Sequence, residues 1–278
     1  MNKGCIQVNL KGGIGNQLFI WAAGKSLCMQ NEWDLIVNVD NLSGSHYCLT
    51  QLGIELTETK KYSLQRMKKL LKSTKIPLNT FVENPAKGGG FDTRISQVVS
   101  GNILEGYFQS TRYFNSHIRE IRDEILFNSE LDANSELIIK EFGVESCIAV
   151  HIRGSDYLNF KDYFTQLTIK YFSEAIDILQ LKLGQFPIIV FTDDLDFAKS
   201  LVPNADKYIT KTDIGCPVQN LLVMSQAAGF IGSNSTYSWW AAFLLNNQNN
   251  IVFPSPWFKL ERDEKNDLYM PMWRTIKI

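Results

Sequence analysis

The sequence has few cysteines, almost no net charge and no long uncharged apolar run over its 278 residues. The five cysteines are an odd number with wide spacing and no CxxC pair, which disfavours both a disulfide framework and a zinc site. A formal net charge of -1 leaves no electrostatic footprint of a nucleic-acid-binding protein. We therefore expect reduced thiols, no structural zinc and no nucleic-acid partner.

Targeting signals are also missing from the sequence. No uncharged apolar run reaches the roughly 20 residues that a membrane-spanning helix needs. The N-terminal residues Met1–Leu10 lack the apolar core of a secretory signal peptide. These absences predict a cytoplasmic protein.

The composition is that of a globular protein, with 45% hydrophobic and 21% charged residues and enough length for two domains. Apolar runs alternate with longer helical segments, which is typical of an open α/β sheet. The predicted strands are Cys5–Leu10, Leu35–Val39, Cys147–Ile152, Pro187–Thr192, Gly229–Gly232 and, as the candidate for a last strand, Ile251–Phe253. The predicted helices are 16–27, 60–75, 114–126, 168–183, 194–201, one ending near 226, and 235–245.

A polar stretch over 128–136 separates two such series, so we expect one Rossmann-like domain at 1–135 and a second at 136–278. The predicted architecture is α/β, with the two domains facing each other across a cleft. Because ligands bind outside the carboxyl ends of the strands in such sheets, the polar segments that follow strands supply the candidate site residues.

A glycine loop, Gly12–Gln17, follows the first strand. Glycines let the backbone approach a ligand closely, and the N-terminus of the following helix favours an anion. The loop nearly matches the dinucleotide fingerprint of a nicotinamide oxidoreductase, but Leu18 stands where that fingerprint needs a small residue. An anion-binding loop, a nicotinamide enzyme and a tight turn without a ligand are the alternatives.

Polar residues also follow the strand Cys147–Ile152. Arg153 can offer a fork of donors to a diphosphate, and Asp156 can hold the guanidinium in place. A structural Arg–Asp pair is the alternative, although an exposed pair contributes only ~0–1 kcal/mol to stability. His151 is either a ligand contact or a satisfied core histidine.

Three aspartates, Asp193, Asp194 and Asp196, follow the next strand. The spacing of Asp194 and Asp196 would suit hard oxygen ligands of Mn²⁺ or Mg²⁺. The alternative for Asp196, which we favour, is capping of the helix that begins there. Asp193 and Asp194 are then the better candidates to bind hydroxyl groups of a nucleotide or sugar.

Four small polar residues, Ser233–Thr236, open a strongly apolar helix. One residue suffices as a cap, so the excess predicts a bound anion that receives hydroxyl and backbone donors. We interpret Trp239 and Trp240 in that helix as core residues rather than as a sugar platform.

Taken together, five segments resemble motifs of the bacterial α-1,2-fucosyltransferases of glycosyltransferase family 11. Gly12–Phe19 matches GG(L/I)GNQ(L/M)F, Gly106–Ser110 is similar to GYWQS, and His151–Tyr157 resembles HxRRGDY. Ser233–Leu244 resembles the family's third motif, and Pro254–Phe258 resembles the family segment that follows that motif. Gly154 and Ser155 replace the second arginine and the glycine of HxRRGDY, and Asn220 stands where an aspartate is common.

The resemblance implies a GT-B fold, a GDP-fucose donor, inversion at the anomeric carbon, and neither a cofactor nor an essential metal. The domain at 1–135 would be the acceptor side and the domain at 136–278 the donor side. The acceptor would be the 2-hydroxyl of a galactose-containing oligosaccharide in surface polysaccharide synthesis. If that acceptor is lipid-linked, the enzyme would work at the inner face of the bacterial membrane.

In this interpretation Arg153 meets the charge of the departing diphosphate, Asp156 orients Arg153, and Asn16 lies near the reacting sugar. Asp156 and Asp194 are the candidates for the base. The donor-binding set is Gly13, Gly15, His151, Arg153, Asp193, Asp194, Asn220, Ser233, Asn234, Ser235 and Thr236. The competing classes are a Mn²⁺-dependent GT-A-type transferase built on Asp194 and Asp196, a nicotinamide oxidoreductase, and a carbohydrate-binding protein without turnover.

Overall fold

The computed structural model describes residues 3–42, 47–54, 57–58, 79–84, 90–154, 164–259 and 267–278. The chain divides into two compact units, Met1–Ser129 with Lys265–Leu268, and Glu130–Glu264 with Tyr269–Ile278. The division after Ser129 lies inside the polar stretch 128–136. The return of a late segment to the first unit has no signal in the sequence. A hydrogen bond from the Ser110 hydroxyl to Asp267 Oδ2, at 3.0 Å, joins this late segment to the rest of the first unit.

The first unit contains a five-stranded parallel sheet in the order β3-β2-β1-β5-β4. Its strands are β1 (Cys5–Asn9), β2 (Asp34–Asn38), β3 (Thr57–Glu58), β4 (Thr80–Val82) and β5 (Ile103–Glu105). Its described helices are α1 (Ile14–Asn31) and α2 (Ile118–Asn128), with short 3-10 turns at Leu49–Leu52, Thr93–Gln97, Thr111–Tyr113 and Asn115–His117.

Helix α1 is longer than predicted and is buried on nearly all sides. It begins directly after Gly13 and ends at Asn31, where the left-handed backbone of the next residue, Glu32 (φ 55), stops it. The close approach to the sheet occurs at Gly24, where a Cβ would lie 2.6 Å from Val8 Cγ1. Gly24 therefore provides the small residue for helix–strand packing that the sequence lacks at Leu18.

The second unit contains a six-stranded parallel sheet in the order β11-β10-β9-β6-β7-β8. Its strands are β6 (Ile148–Ile152), β7 (Ile188–Thr192), β8 (Lys207–Ile209), β9 (Gly229–Ile231), β10 (Ile251–Ser255) and β11 (Arg274–Lys277). Its described helices are α3 (Ala133–Phe142), α4 (Ile169–Leu183), α5 (Leu195–Leu201), α6 (Pro217–Ser225) and α7 (Thr236–Leu244), with a 3-10 turn at Val144–Ser146.

Counted from β6, the second sheet has the strand order 3-2-1-4-5-6 of the doubly wound Rossmann fold. Strands β6 and β7 are buried along their whole length, as expected for central parallel strands covered on both faces. Trp239 and Trp240 are fully buried, so their prediction as core residues is confirmed. The predicted class, two Rossmann-like α/β domains, is confirmed as well.

The five cysteines are free of disulfides, as predicted. Of the helices that the structure describes, none combines the length and apolar character needed to cross a bilayer. The predicted helix 60–75 lies outside the described residues.

Candidate active site

The predicted polar segments of the second unit follow three adjacent strands of its sheet. Arg153 follows β6 directly, Asp193 follows β7, and Ser233 comes two residues after β9. Strand β6 lies between the other two. The strand order reverses between β6 and β9, and this switch point is where doubly wound sheets bind their ligands. The fold therefore places the predicted residues along the edge where a nucleotide is expected.

His151 lies inside β6 and belongs to a buried network of small polar side chains. Its Nδ1 is 2.6 Å from Ser238 Oγ and 3.4 Å from Ser233 Oγ, and the two hydroxyls are 3.0 Å apart. Burial lowers the pKa of His151 to about 4, with the Asp193 carboxylate raising it and the Arg153 charge lowering it. The imidazole is neutral at pH 7 and ties β6 to the start of α7.

The two aspartates after β7 have separate partners. Asp193 Oδ1 accepts a hydrogen bond from the Gly154 amide at 2.7 Å. Asp194 is the N-cap of α5, because its Oδ1 accepts from the Phe197 amide at 3.1 Å. The prediction that Asp196 caps this helix is wrong, since α5 begins at Leu195 and Asp196 already lies in its first turn.

Ser233, Asn234 and Ser235, the small polar residues before α7, each have different hydrogen-bond partners. Ser233 is buried in the His151 network, and the Asn234 amide donates to the Thr165 carbonyl at 3.0 Å and the Trp257 carbonyl at 2.8 Å. Ser235 caps the helix by accepting from the Tyr237 amide. Ser233 and Asn234 therefore shape the loop, and the half-buried Ser235 and Thr236 lie at the helix start.

The structure describes two of the three remaining predicted residues of the second unit. Asn220 lies within α6, where its amide donates to the Ile214 carbonyl at 2.8 Å. Arg153 is half-buried at the end of β6. Asp156, its predicted partner, lies outside the described residues, as does Ser155.

In the first unit, the glycine loop lies between β1 and α1. Gly12 has a left-handed backbone (φ 72), and its carbonyl accepts from Gln17 Nε2 at 2.9 Å. Gly13 is the N-cap of α1, and Gly15 lies buried inside the helix. Asn16 Oδ1 accepts from Gln109 Nε2 at 2.9 Å, which joins the loop to the segment after β5.

The segment Gly106–Ser110 is held by a carboxylate, Glu83, that was not predicted from the sequence. The buried Glu83 accepts from the amides of Tyr107 at 2.7 Å and Phe108 at 2.9 Å. It also accepts from the Tyr113 hydroxyl at 2.9 Å. Glu83 follows a strand of three residues next to a breaker-rich loop, so the sequence carries no signal for it.

No three His, Cys, Asp or Glu side chains come together as a metal site in the part of the chain that the structure describes.

Comparison with known proteins identifies a family and two relatives of this chain. The family described as Glycosyl transferase family 11 matches residues 89–277, more than half of the chain. The Escherichia coli O-antigen biosynthesis glycosyltransferase WbnK is 28% identical over 300 residues, covering 95% of this chain and 98% of WbnK. The Escherichia coli α-1,2-colitosyltransferase is 24% identical over 279 residues, covering 94% of each protein.

Two solved structures share the fold. The NodZ α-1,6-fucosyltransferase soaked with GDP-fucose, a Bradyrhizobium protein, has a TM-score of 0.50 at 12% identity, over 88% of this chain and 93% of NodZ. A glycosyl transferase family 9 protein from Veillonella parvula DSM 2008 has a TM-score of 0.50 at 10% identity, over 100% and 88% of the two chains. With the family match over residues 89–277, the chain belongs to glycosyl transferase family 11 and is a glycosyltransferase.

Proposed function

We propose that the protein transfers L-fucose from GDP-β-L-fucose to the 2-hydroxyl of a galactoside, in the synthesis of an O-antigen-like surface polysaccharide. Membership of family 11 and the five motif segments support this donor and linkage. The two Escherichia coli relatives, one named for O-antigen biosynthesis and one for α-1,2 transfer of colitose, support the pathway and the linkage.

One observation carries the proposal, namely that Arg153 and the start of α7 follow the two strands on either side of the switch point. A helix N-terminus favours an anion, since its first amides point outward and its dipole is positive at that end. Arg153, at the end of the neighbouring strand, adds a positive charge and a fork of donors. The pair suits the diphosphate of a nucleotide sugar.

The reaction follows from this arrangement as one in-line displacement. The acceptor 2-oxygen attacks the anomeric carbon from the face opposite the diphosphate, and the bond from that carbon to the leaving oxygen breaks. The hydroxyl proton passes to a base, and GDP departs with the bonding electron pair. Arg153 stabilises the charge that develops on the β-phosphate, and loss of one such donor typically costs about 2.7–4 kcal/mol in barrier. In this proposal no metal ion takes part.

The other predicted residues hold this edge in place. His151 and Ser233 secure the loop before α7, and Asp193 holds the Gly154 amide. Asp194 is committed to capping α5, which leaves Asp156 as the candidate for the base. The alternatives of a GT-A-type enzyme and a nicotinamide oxidoreductase are set aside by the fold and the family.

A second donor is favoured by one relative. The Escherichia coli α-1,2-colitosyltransferase is 24% identical over nearly the whole chain. A nucleotide-activated colitose therefore belongs in the donor panel with GDP-fucose, GDP-mannose and UDP-galactose. Release of GDP only when a β-galactoside is present would separate an enzyme from a carbohydrate-binding protein without turnover.

The Arg153→Lys variant tests the role of the guanidinium, because lysine keeps the charge but loses the fork. We expect turnover with GDP-fucose and a β-galactoside to fall at least about tenfold, equivalent to ~1.4 kcal/mol of transition-state stabilisation. The matched control is Arg274→Lys on the edge strand β11, which should leave turnover unchanged. Near-normal turnover of Arg153→Lys would reject the assignment.

A further inference from the structure

In the first unit, two side chains follow the carboxyl ends of two neighbouring strands of the sheet. Strands β1 and β5 are parallel neighbours in the middle of the order β3-β2-β1-β5-β4 and pair directly. Lys11 comes soon after β1, and Tyr107 comes soon after β5. Neither residue has a role in the donor chemistry proposed above. Their position is where an open α/β sheet binds a ligand.

Tyr107 is held in an exposed position by a strained and well-anchored backbone. Tyr107 is 43% exposed, whereas the next residue, Phe108, is fully buried with a left-handed φ of 51. Such a φ is uncommon for a bulky residue and persists only where the surroundings impose it. Here the Glu83 carboxylate binds both amides, and a Cβ on Gly106 would lie 2.5 Å from that side chain.

Lys11 places its ammonium over the Tyr107 ring, with Nζ 4.4 Å from the ring centroid. The ion pairs found among the described residues involve other cations, so no carboxylate there neutralises Lys11. An exposed cation–π contact contributes only about 0.5–1 kcal/mol to stability. The pair therefore adds little to folding and leaves ammonium donors for a ligand.

The chemistry of this pair suits a pyranose ring. A sugar has a C–H face that packs on an aromatic ring and a rim of hydroxyls that accept hydrogen bonds from cationic donors. Next to Tyr107, the Gln109 amide is fixed by its hydrogen bond to Asn16. We propose that Tyr107 and Lys11 form an acceptor subsite, in which the pyranose of the acceptor packs its C–H face against the part of Tyr107 that Lys11 leaves exposed and its hydroxyls bind the Lys11 ammonium.

This inference rests on the proposed function and adds the residues that select the acceptor. The test uses the full chain with methyl β-D-galactopyranoside and lactose as acceptor probes. Four quantities are measured: kcat, the acceptor KM, the Kd of GDP-fucose by titration, and sugar binding without donor by saturation-transfer NMR. The variants are Tyr107→Ala, Tyr107→Phe and Lys11→Met.

Tyr107→Ala should raise the acceptor KM at least about tenfold and change the Kd of GDP-fucose less than about twofold. Tyr107→Phe keeps the ring and should stay near the wild-type KM, whereas Lys11→Met should raise the KM about three- to tenfold. Two controls match these changes: Phe127→Ala, an exposed aromatic of the same unit, and Lys199→Met, whose Nζ lies 5.8 Å from the Tyr208 centroid. Both should leave the KM unchanged.

An unchanged acceptor KM in Tyr107→Ala would overturn the subsite, and so would a loss of donor affinity equal to the loss of acceptor affinity. The latter result would assign Lys11 and Tyr107 to the nucleotide sugar instead. The two proposals fail separately. If the wild type does not use GDP-fucose, the proposed function falls, while sugar binding and its loss in Tyr107→Ala still decide the subsite.

Discussion

Position 154 shows how one residue adapts a motif. Gly154 stands where the related motif has a second arginine, and its amide donates to Asp193. A Cβ at this position would lie 2.3 Å from Asp194 Cβ and 3.0 Å from its Cγ. Asp194 cannot move away without cost, since its carboxylate caps α5. The glycine that replaces the arginine is thus packed against Asp194 and hydrogen-bonded to Asp193.

Gly154→Ala should therefore destabilise the protein by about 1–3 kcal/mol through overpacking. The measurement is the free energy of unfolding by urea denaturation. Gly215→Ala is the control, because the nearest atom to its added Cβ would be the Lys211 carbonyl oxygen at an ordinary 3.7 Å. Equal stability of the two variants would show that the backbone at 154 shifts freely.

His151 illustrates a second effect at the residue scale. Its burial favours the neutral imidazole, and the hydroxyls of Ser233 and Ser238 satisfy its Nδ1. The sequence left open whether this histidine binds a ligand or belongs to the core. The structure gives it partners within the core, and its predicted contact with the nucleoside or sugar stays a prediction.

At the scale of elements, the starts of α5 and α7 decide which polar residues remain available for chemistry. Each helix uses one residue of its polar cluster as the cap, Asp194 for α5 and Ser235 for α7. A cap is fixed by where the backbone leaves the strand. Before α5 the Asp194 amide donates to the Thr192 hydroxyl at 3.0 Å, so the helix begins with only two residues between it and β7.

Replacement of each aspartate tests which of the two caps α5. Asp194→Ala should lower the free energy of unfolding by about 0.5–2 kcal/mol, whereas Asp196→Ala, losing only a favourable helix-dipole interaction, should cost about 0.3–1 kcal/mol. Asp194→Asn retains a capping oxygen and should remain close to wild type. Urea unfolding of the three variants checks the order, and a larger effect of Asp196 would contradict the cap assignment.

At the scale of the whole molecule, the chain carries two parallel sheets, and functional side chains follow the carboxyl ends of strands in both. In the second unit, the point where the strand order reverses bears Arg153 and the start of α7, which we assign to the donor. In the first unit, the ends of β1 and β5 bear Lys11 and Tyr107, which we assign to the acceptor. In both units the proposed ligand lies outside the carboxyl ends of parallel strands.

A mechanism based on Arg153 predicts that transfer continues without a divalent ion. Initial rates of GDP release with GDP-fucose and a β-galactoside should change less than about twofold after treatment with EDTA, because fixed donors supply the charge that a metal would supply. Addition of Mn²⁺ should not raise the rate further. Activity that EDTA abolishes and Mn²⁺ restores would replace this mechanism with a metal-dependent one.

The strands that the sequence predicted well are those with continuous apolar runs. β1, β2, β6, β7 and β9 agree with prediction to within one residue at each end, because parallel strands with buried positions appear as such runs. The short strands β3, β4, β5, β8 and β11 were missed. β8 and β11 carry lysine or arginine and have few buried positions, so only pairing with a neighbouring strand defines them.

The sequence by itself determined the α/β class, the two-domain plan and the polar segments that follow buried strands, since apolar runs and turn residues are local properties of the chain. Only the tertiary structure decided the partners of those segments: Glu83 beneath Tyr107, Lys11 over its ring, and Asp194 against Gly154. The physical reason is that these contacts join residues from different strand ends. Their proximity depends on strand order, which no local pattern of residues encodes.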